Sequence, residues 1–542
     1  KFGKVILTVS SMYEVSQLTS LEDNTTTNSF EHYKIQPFGF VKRSELINKW
    51  YSVGQQDHES EAEIVGKCNV AEKLMDTVMD KSLISPHPIF LLTFLQSIES
   101  GQSEQLSDSA LGHYYNYLLT ESFLDVGVGK DSLGAEIDYC MHLAWFYYKR
   151  NTISISIEDF KEFNQYFSDT WQKSDFTSQE SKLLNAKVLV KSGGDYEFRY
   201  HYNYYYLLGM YLSQNILDAS INKDIEHCIE HLYVKKNANI ILFLAHHSSS
   251  DNILVMMKTA ADNLFKQNIA ADFNGGCNVA HELIQDAPKL EFNCKTPQEN
   301  RKTLSEQKEL AEANKPNGFF KEKEEDPVGL DLGTKLTMLF KTIDILSQII
   351  KSNPTKFARP KKVEIIQSVF LAPLRALQDF YNFLEAHPKA LIEAIHNELS
   401  EKSKNIPKED RENIARLTVS RIIQGASSLF VLKTAQIVNS QALMPDIPTV
   451  INANQTLAFE LMEVAISLDN HKPISRKKIE DVAFKCEENN VAKKVLDVIV
   501  MNRLHMFKTS EQDMQWLQSK LGYDLTQQHQ LGYDRNSKLI KN

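Results

Sequence analysis

The stretch SKLLNAKVLVKSGGDYEFRYHYNYYYLLGMYLSQN, residues 181–215, restricts the backbone most strongly. Residues 187–190 are β-prone, and Ser192, Gly193 and Gly194 can supply the positive φ angles of a tight turn. Tyr196, Phe198, Tyr200, Tyr202 and Tyr204 then alternate with polar or charged residues, the period of a half-buried strand. After Tyr204 the period lengthens. Tyr205, Leu208 and Leu212 fall on one helical face, and Gly209 lets a neighbouring element approach closely.

A helix that enters a hairpin whose second strand runs straight into another helix fits two folds. It is the wing of a winged-helix unit, or the core hairpin of any α+β domain. The flanking sequence favours helices throughout: residues 111–123, 133–148 and 157–166 carry helical patterns upstream. These helices carry Glu136, Asp138, Glu158, Asp159 and Glu162, where a DNA-reading winged helix would place Lys and Arg.

At 542 residues the chain exceeds one core, so about three or four compact units are expected. The net charge of -10 opposes broad binding to a phosphate backbone, which makes nucleic acid an unlikely partner for this region. The 6 cysteines form no C-x-x-C pair and read as reduced thiols of a cytoplasmic protein. The longest apolar runs fall far short of the roughly 20 residues a spanning helix needs, so no membrane is expected as a partner.

The first residues, Lys1-Phe2-Gly3-Lys4, lead directly into Val5-Ile6-Leu7-Thr8-Val9, a β-branched run suited to a buried parallel strand. Such a strand needs neighbours on both sides, so the expectation is a fragment whose remaining sheet lies N-terminal to Lys1. Residues 1–43 then read as the last strands of an α/β nucleotide-binding domain, VILTVSS and YKIQPFGF, separated by a polar loop at 21–29. Residues 44–104 read as a small helical domain in which Pro86 and Pro88 precede a strongly apolar helix. Residues 105–212 hold the hairpin unit, and 213–295 a helical connector. Residues 296–329 are rich in Lys, Glu, Asn and Pro and form a charged linker, or a solvated helix followed by a loop. Residues 330–542 form an irregular α-helical array with stripes such as Leu336, Leu339, Phe340, Ile343 and Leu346 and a bend near Pro373. The expected class is mainly α, with an α/β remnant and a winged-helix unit.

The segment YEFRYHYNYYYLLGMYL resembles the end of the winged-helix domain in NACHT-type members of the STAND class of signalling NTPases. In that family a His stands two residues after the Phe. Here Tyr200 holds that place and His201 follows. The phrases NANIILFLAHHSSSDNIL and DLGTKLTMLFKTIDILSQIIKSNP resemble the helical C-terminal region of bacterial STAND proteins. Some of those carry an effector such as a metallophosphoesterase ahead of the ATPase. The resemblance implies ATP as ligand, with Mg held N-terminal to Lys1 beside the phosphate-binding loop. It implies nucleotide contacts at Ser10 (with Thr8 beside it), Pro88, Tyr200 and His201. It also implies an antiphage switch, in which a phage-derived protein trigger binds the helical array and the protein forms a homo-oligomer that activates the effector.

Other chemistry is thinner. Gly127-Val128-Gly129-Lys130 lacks the leading Gly of a phosphate loop, since position 124 is Leu, and Asp131 follows where Ser or Thr is required. It reads as a turn. His227-Cys228-Ile229-Glu230-His231 matches the H-x-x-E-H zinc pattern, which an exposed polar helix face explains equally well. No nucleophile elbow or paired-carboxylate motif stands out, so no catalytic residue and no metal ligand is assigned. A nucleotide-independent helical scaffold is the alternative reading, and a zinc hydrolase the third.

Overall fold

The computed structural model describes residues 31, 33, 36–53, 61–79, 87–100, 110–248, 251–273, 278–286, 295–313, 329–352, 354–402, 407–469 and 472–522. Its one sheet among the described residues is the hairpin unit. Helix α5 (Leu133–Lys149) leads to the short strand β1 (Ser154–Ile155), helices α6 (Ile157–Thr170) and α7 (Phe176–Asn185), and strands β2 (Leu189–Ser192) and β3 (Asp195–Phe198). The sheet order is β1-β3-β2, antiparallel throughout, with Ser154 opposite Glu197 and Leu189 opposite Phe198. The order is helix-strand-helix-helix-hairpin, the one expected of the proposed winged-helix unit.

Local chemistry sets each boundary. Gly193 and Gly194 turn the hairpin at φ +62° and +104°, angles that a residue with a Cβ adopts only under strain. Ser156 and Asp159 form a reciprocal capping box at the start of α6, and the Asp175 side chain accepts from the Ser178 N–H to start α7. The Tyr147 hydroxyl donates to the Tyr196 carbonyl at 2.7 Å, which pins α5 to β3 inside a core of Phe160, Phe163 and Tyr196.

The strand period read through Tyr204 is corrected here. β3 ends at Phe198, Arg199 and Tyr200 bend, and helix α8 (His201–Gln214) begins at His201. Residues 202–209 are buried without interruption, so the first two turns of α8 are enclosed on every side. An enclosed helix has no polar face to impose a period near 3.6, and the alternating tyrosines mimic a strand by coincidence. Helix α8 lies between α5 and α10 (Lys235–His247). A Cβ at Gly209 would stand 2.7 Å from the Phe243 backbone carbon, so the close approach read from the sequence is what this glycine provides.

Upstream lie α1 (Phe40–Ser52), α2 (Glu61–Met79), α3 (Pro88–Ser100) and α4 (Ala110–Leu124). The expected strand YKIQPFGF is not found among its described residues: 36–39 have no regular structure and Phe40 opens α1. Phe40, Ile47 and Tyr51 are buried along one face of that helix, a spacing that rewards helix rather than strand. The proposed strand at 5–9, the loop at 21–29, and Thr8, Ser10 and Pro86 lie outside the described residues.

Downstream, α9 (Ala219–Glu230), α10, α11 (Asp251–Asn263) and α12 (Asn278–Leu283) join the winged-helix unit to a helical array. The array comprises α14 (Leu332–Ser352), α15 (Arg359–Ala386), α16 (Ala390–Lys402), α17 (Lys408–Val438), α18 (Ile447–Asn454), α19 (Leu457–Leu468), α20 (Arg476–Lys485), α21 (Asn490–Met506) and α22 (Glu511–Leu521). Within the stretch read as a linker or solvated helix, residues 297–313 form helix α13 (Pro297–Ala313), which packs on α1 and α21. One apolar core extends from Ile47 to Leu517. Among the described residues no helix is long and apolar enough to cross a membrane.

Gly209→Ala should destabilise the fold by about 1–3 kcal/mol, because the new methyl meets backbone that cannot swing aside. The check is the urea midpoint against wild type; an unchanged midpoint would mean that α8 and α10 are free to separate.

Candidate functional site: an aromatic junction at the start of α8

Pro88 is the first residue of α3, where its missing N–H leaves no helical hydrogen bond unmade. The His87 carbonyl accepts from the Phe90 and Leu91 N–H groups at 3.0 and 3.2 Å and so closes the first turn. That turn aims Phe90 at the end of the wing. The Phe90 ring meets Tyr200 edge-on with centroids 5.8 Å apart, and Tyr200 in turn stacks on Tyr202 at 5.4 Å and 15°. The Arg199 guanidinium carbon lies 5.6 Å from the Tyr200 centroid. Beneath them Tyr115 of α4 contacts Tyr202 at 5.4 Å and Phe243 of α10 at 4.8 Å.

The structure therefore places two of the sequence candidates at one junction. The α3 turn that begins at Pro88 reaches Tyr200 through Phe90, and both Pro88 and Tyr200 are half-buried. His201 is the first residue of α8, next to Tyr200. Burial holds its pKa below the usual 6.5, and the Lys235 ammonium at the start of α10 adds to the effect, so the imidazole is neutral at pH 7. Phe90, Arg199, Tyr202 and Tyr115 complete the junction. Sequence reasoning passed over them because their meeting depends on how α3 and α4 fold onto the hairpin. The one sequence signal for Tyr202 was the tyrosine alternation itself. Chemically the junction presents the exposed Arg199 guanidinium and the half-buried Phe90 and Tyr200 rings, with Tyr202 and Tyr115 buried behind them. Such groups hold a planar or anionic ligand by stacking and charge, and among the described residues here none is paired as a general acid and base.

The remaining motifs resolve simply. Gly127 takes φ +83° in a turn, and residues 130–132 form one turn of 3-10 helix, which is the turn read from GVGK. In the H-x-x-E-H segment, α9 ends at Glu230, and His231 Nδ1 donates to the His227 carbonyl at 2.8 Å. That bond commits one imidazole nitrogen to the helix end. Among the described residues no group of three or more His, Cys, Asp or Glu is arranged to hold a metal ion.

Residues 153–208 match the family model described as Novel STAND NTPase 4. The matched segment starts one residue before β1, contains the whole winged-helix hairpin, and ends in α8, so it includes Tyr200, His201 and Tyr202. It is similar to STAND NTPases in the same stretch that carries the resemblance in the sequence. No curated protein and no solved structure matches the chain.

A histidine whose folded pKa lies below 6.5 takes up its proton in the unfolded chain first, so its contribution to stability is full above pH 6.5 and declines as the pH falls below it. His201 should titrate below 6.5 by NMR, and Lys235→Gln should move that midpoint upward. A midpoint at or above 6.5 in the wild-type protein would contradict the burial of this imidazole.

Proposed function

We propose that this chain is the regulatory part of a STAND-type NTPase switch. ATP with Mg is its ligand, the aromatic junction at the start of α8 senses whether that ligand is bound, and the helical array receives the trigger. The observation that carries this reading is the exit of the wing. β3 passes through Tyr200 straight into an enclosed helix, within the segment similar to STAND NTPases, and the Pro88 turn meets that exit. Ser10 is the further candidate nucleotide contact. A ligand that packs against Tyr200 and the start of α3 would change how those two elements meet. Because α8 is clamped against α10 at Gly209, that change would act on a whole rigid body.

The finer parts of the proposal are antiphage defence in the cytoplasm, a phage-derived protein as trigger, a homo-oligomer as the active form, and an effector such as a metallophosphoesterase. They follow from the family resemblance. The acidic character of the helices at 133–170 supports an intramolecular role for the winged helix over DNA reading.

Hydrogen exchange of the protein with ATP-Mg and with ADP tests the reading. The account expects nucleotide-dependent protection at residues 88–91 and 199–205, and at least a tenfold loss of nucleotide affinity in Tyr200→Ala. A nucleotide-independent scaffold would show neither. Deleting residues 330–542 should abolish the response to the trigger while nucleotide binding persists; a truncated protein that still responds would remove the array as sensor.

A further inference from the structure

Helix α13 is held in an unusual way. Of its 17 residues, Arg301 alone is assigned to the buried set, and that residue is charged. Leu304 and Leu310 keep 39% and 66% of their surface exposed, so apolar burial contributes little to docking this helix. Its contacts are polar and they reach two different parts of the chain. At one end the Asn300 side-chain amide donates to the His505 carbonyl at 3.1 Å and Arg301 Nε to the Met506 carbonyl at 3.3 Å, which caps the C-terminus of α21. At the other end Glu309 Oε2 accepts from the Val41 N–H at 3.0 Å, which caps the N-terminus of α1. Between these ends Arg301 Nη1 pairs with Glu72 of α2 at 3.1 Å, and Lys308 pairs with Asp76.

A third ionic contact reinforces the same closure. Lys73 of α2 pairs with Asp469, just past α19, where Asn439 also donates to Asp469 at 3.0 Å. The space between α1, α2, α13 and the end of α21 is a cavity of about 30 Å³ lined by polar residues such as Arg43, Ser44 and Glu72 and apolar ones such as Phe40 and Met75, and the buried Arg301 Nη2 has no protein partner there. A cavity of that size, with an unpartnered guanidinium donor in its wall, has room for a water molecule. Polar contacts separate at lower cost than apolar ones, because water replaces the hydrogen bonds they lose.

We infer that α13 is a releasable clasp that holds the α1–α2 layer on the C-terminal array by capping one helix of each, with Arg301–Glu72 as its central fastening. When the clasp is released, α1 and α2 separate from α21 while the winged helix stays seated through α8 and α10. The inference concerns which parts move and does not depend on what ligand the protein binds.

Cys68 reports on it directly. This thiol is buried on α2 one turn before Glu72, the partner of Arg301, whereas Cys140 is buried on α5 inside the hairpin unit. Alkylation with N-ethylmaleimide, followed peptide by peptide in the full chain, compares the two sites. Arg301→Ala should raise the rate at Cys68 at least tenfold and leave Cys140 unchanged. Equal acceleration at both thiols, or at neither, would overturn the clasp. Should Arg301→Ala fail to fold, Gly39→Ala decides the matter. A Cβ there would lie 2.4 Å from Glu309 Oε1, the exposed tip of a flexible side chain, so it displaces one cap without entering the core. That variant should raise the Cys68 rate at least twofold with Cys140 unchanged, and no increase at Cys68 would overturn the inference.

Discussion

The contact between α8 and α10 at Gly209 is the constraint on which the rest of the structure depends. With no side chain at Gly209, the two helices approach until a methyl group could not be inserted between them. Tyr206 then lies edge-on to Phe243 and 4.4 Å from the His247 ring. Since α8 follows β3 after a two-residue bend and α10 packs on α14 of the array, this contact links the hairpin unit to the array. Buried apolar residues line α8, α10 and α14, so separating these helices would expose apolar surface; Ile47, Tyr51, Ala71 and Met75 of α1 and α2 belong to the same core.

The attachment of α1 and α2 to the far side of the array adds ionic contacts to the shared core. There the contacts are Arg301 with Glu72, Lys308 with Asp76, Lys73 with Asp469, and Glu309 at the start of α1. The exposed pairs among these weaken in salt, whereas Arg301 is shielded and keeps its partner. A chain built this way divides into the hairpin unit with the array and a layer, α1 and α2, whose contacts with α13 and Asp469 are ionic. That division suits a switch, because two arrangements of the layer can differ by a few kcal/mol without disturbing the core.

Parts of this were legible in the sequence for definite reasons. The Gly193-Gly194 turn and the alternation of Tyr196 with Phe198 specify a hairpin by local chemistry alone, and Gly209 announced a close approach because a glycine inside an apolar helix has few other uses. The start of α8 was misplaced because the Tyr200, Tyr202 and Tyr204 pattern satisfies a strand as well as an enclosed helix. Only the surrounding helices decide between them. YKIQPFGF looked like strand from its β-prone letters, yet the periodic burial of Phe40, Ile47 and Tyr51 puts its last residue into α1. The clasp was illegible. Residues 297–313 have almost nothing to bury, and the partners of Asn300, Arg301 and Glu309 lie more than 200 residues away in the chain. At the candidate site Tyr200 and His201 came from the family resemblance, while the approach of Phe90 is a product of tertiary folding.

The central claim is that winged helix and array act as one body while the α1–α2 layer moves. Spin-label distances in the protein test it most directly, with labels at the exposed positions Lys67, Lys191 and Arg421. The account predicts that replacing ADP by ATP-Mg shifts the distance between 67 and 421 and leaves that between 191 and 421 unchanged. A shift between 191 and 421 with none between 67 and 421 would contradict it.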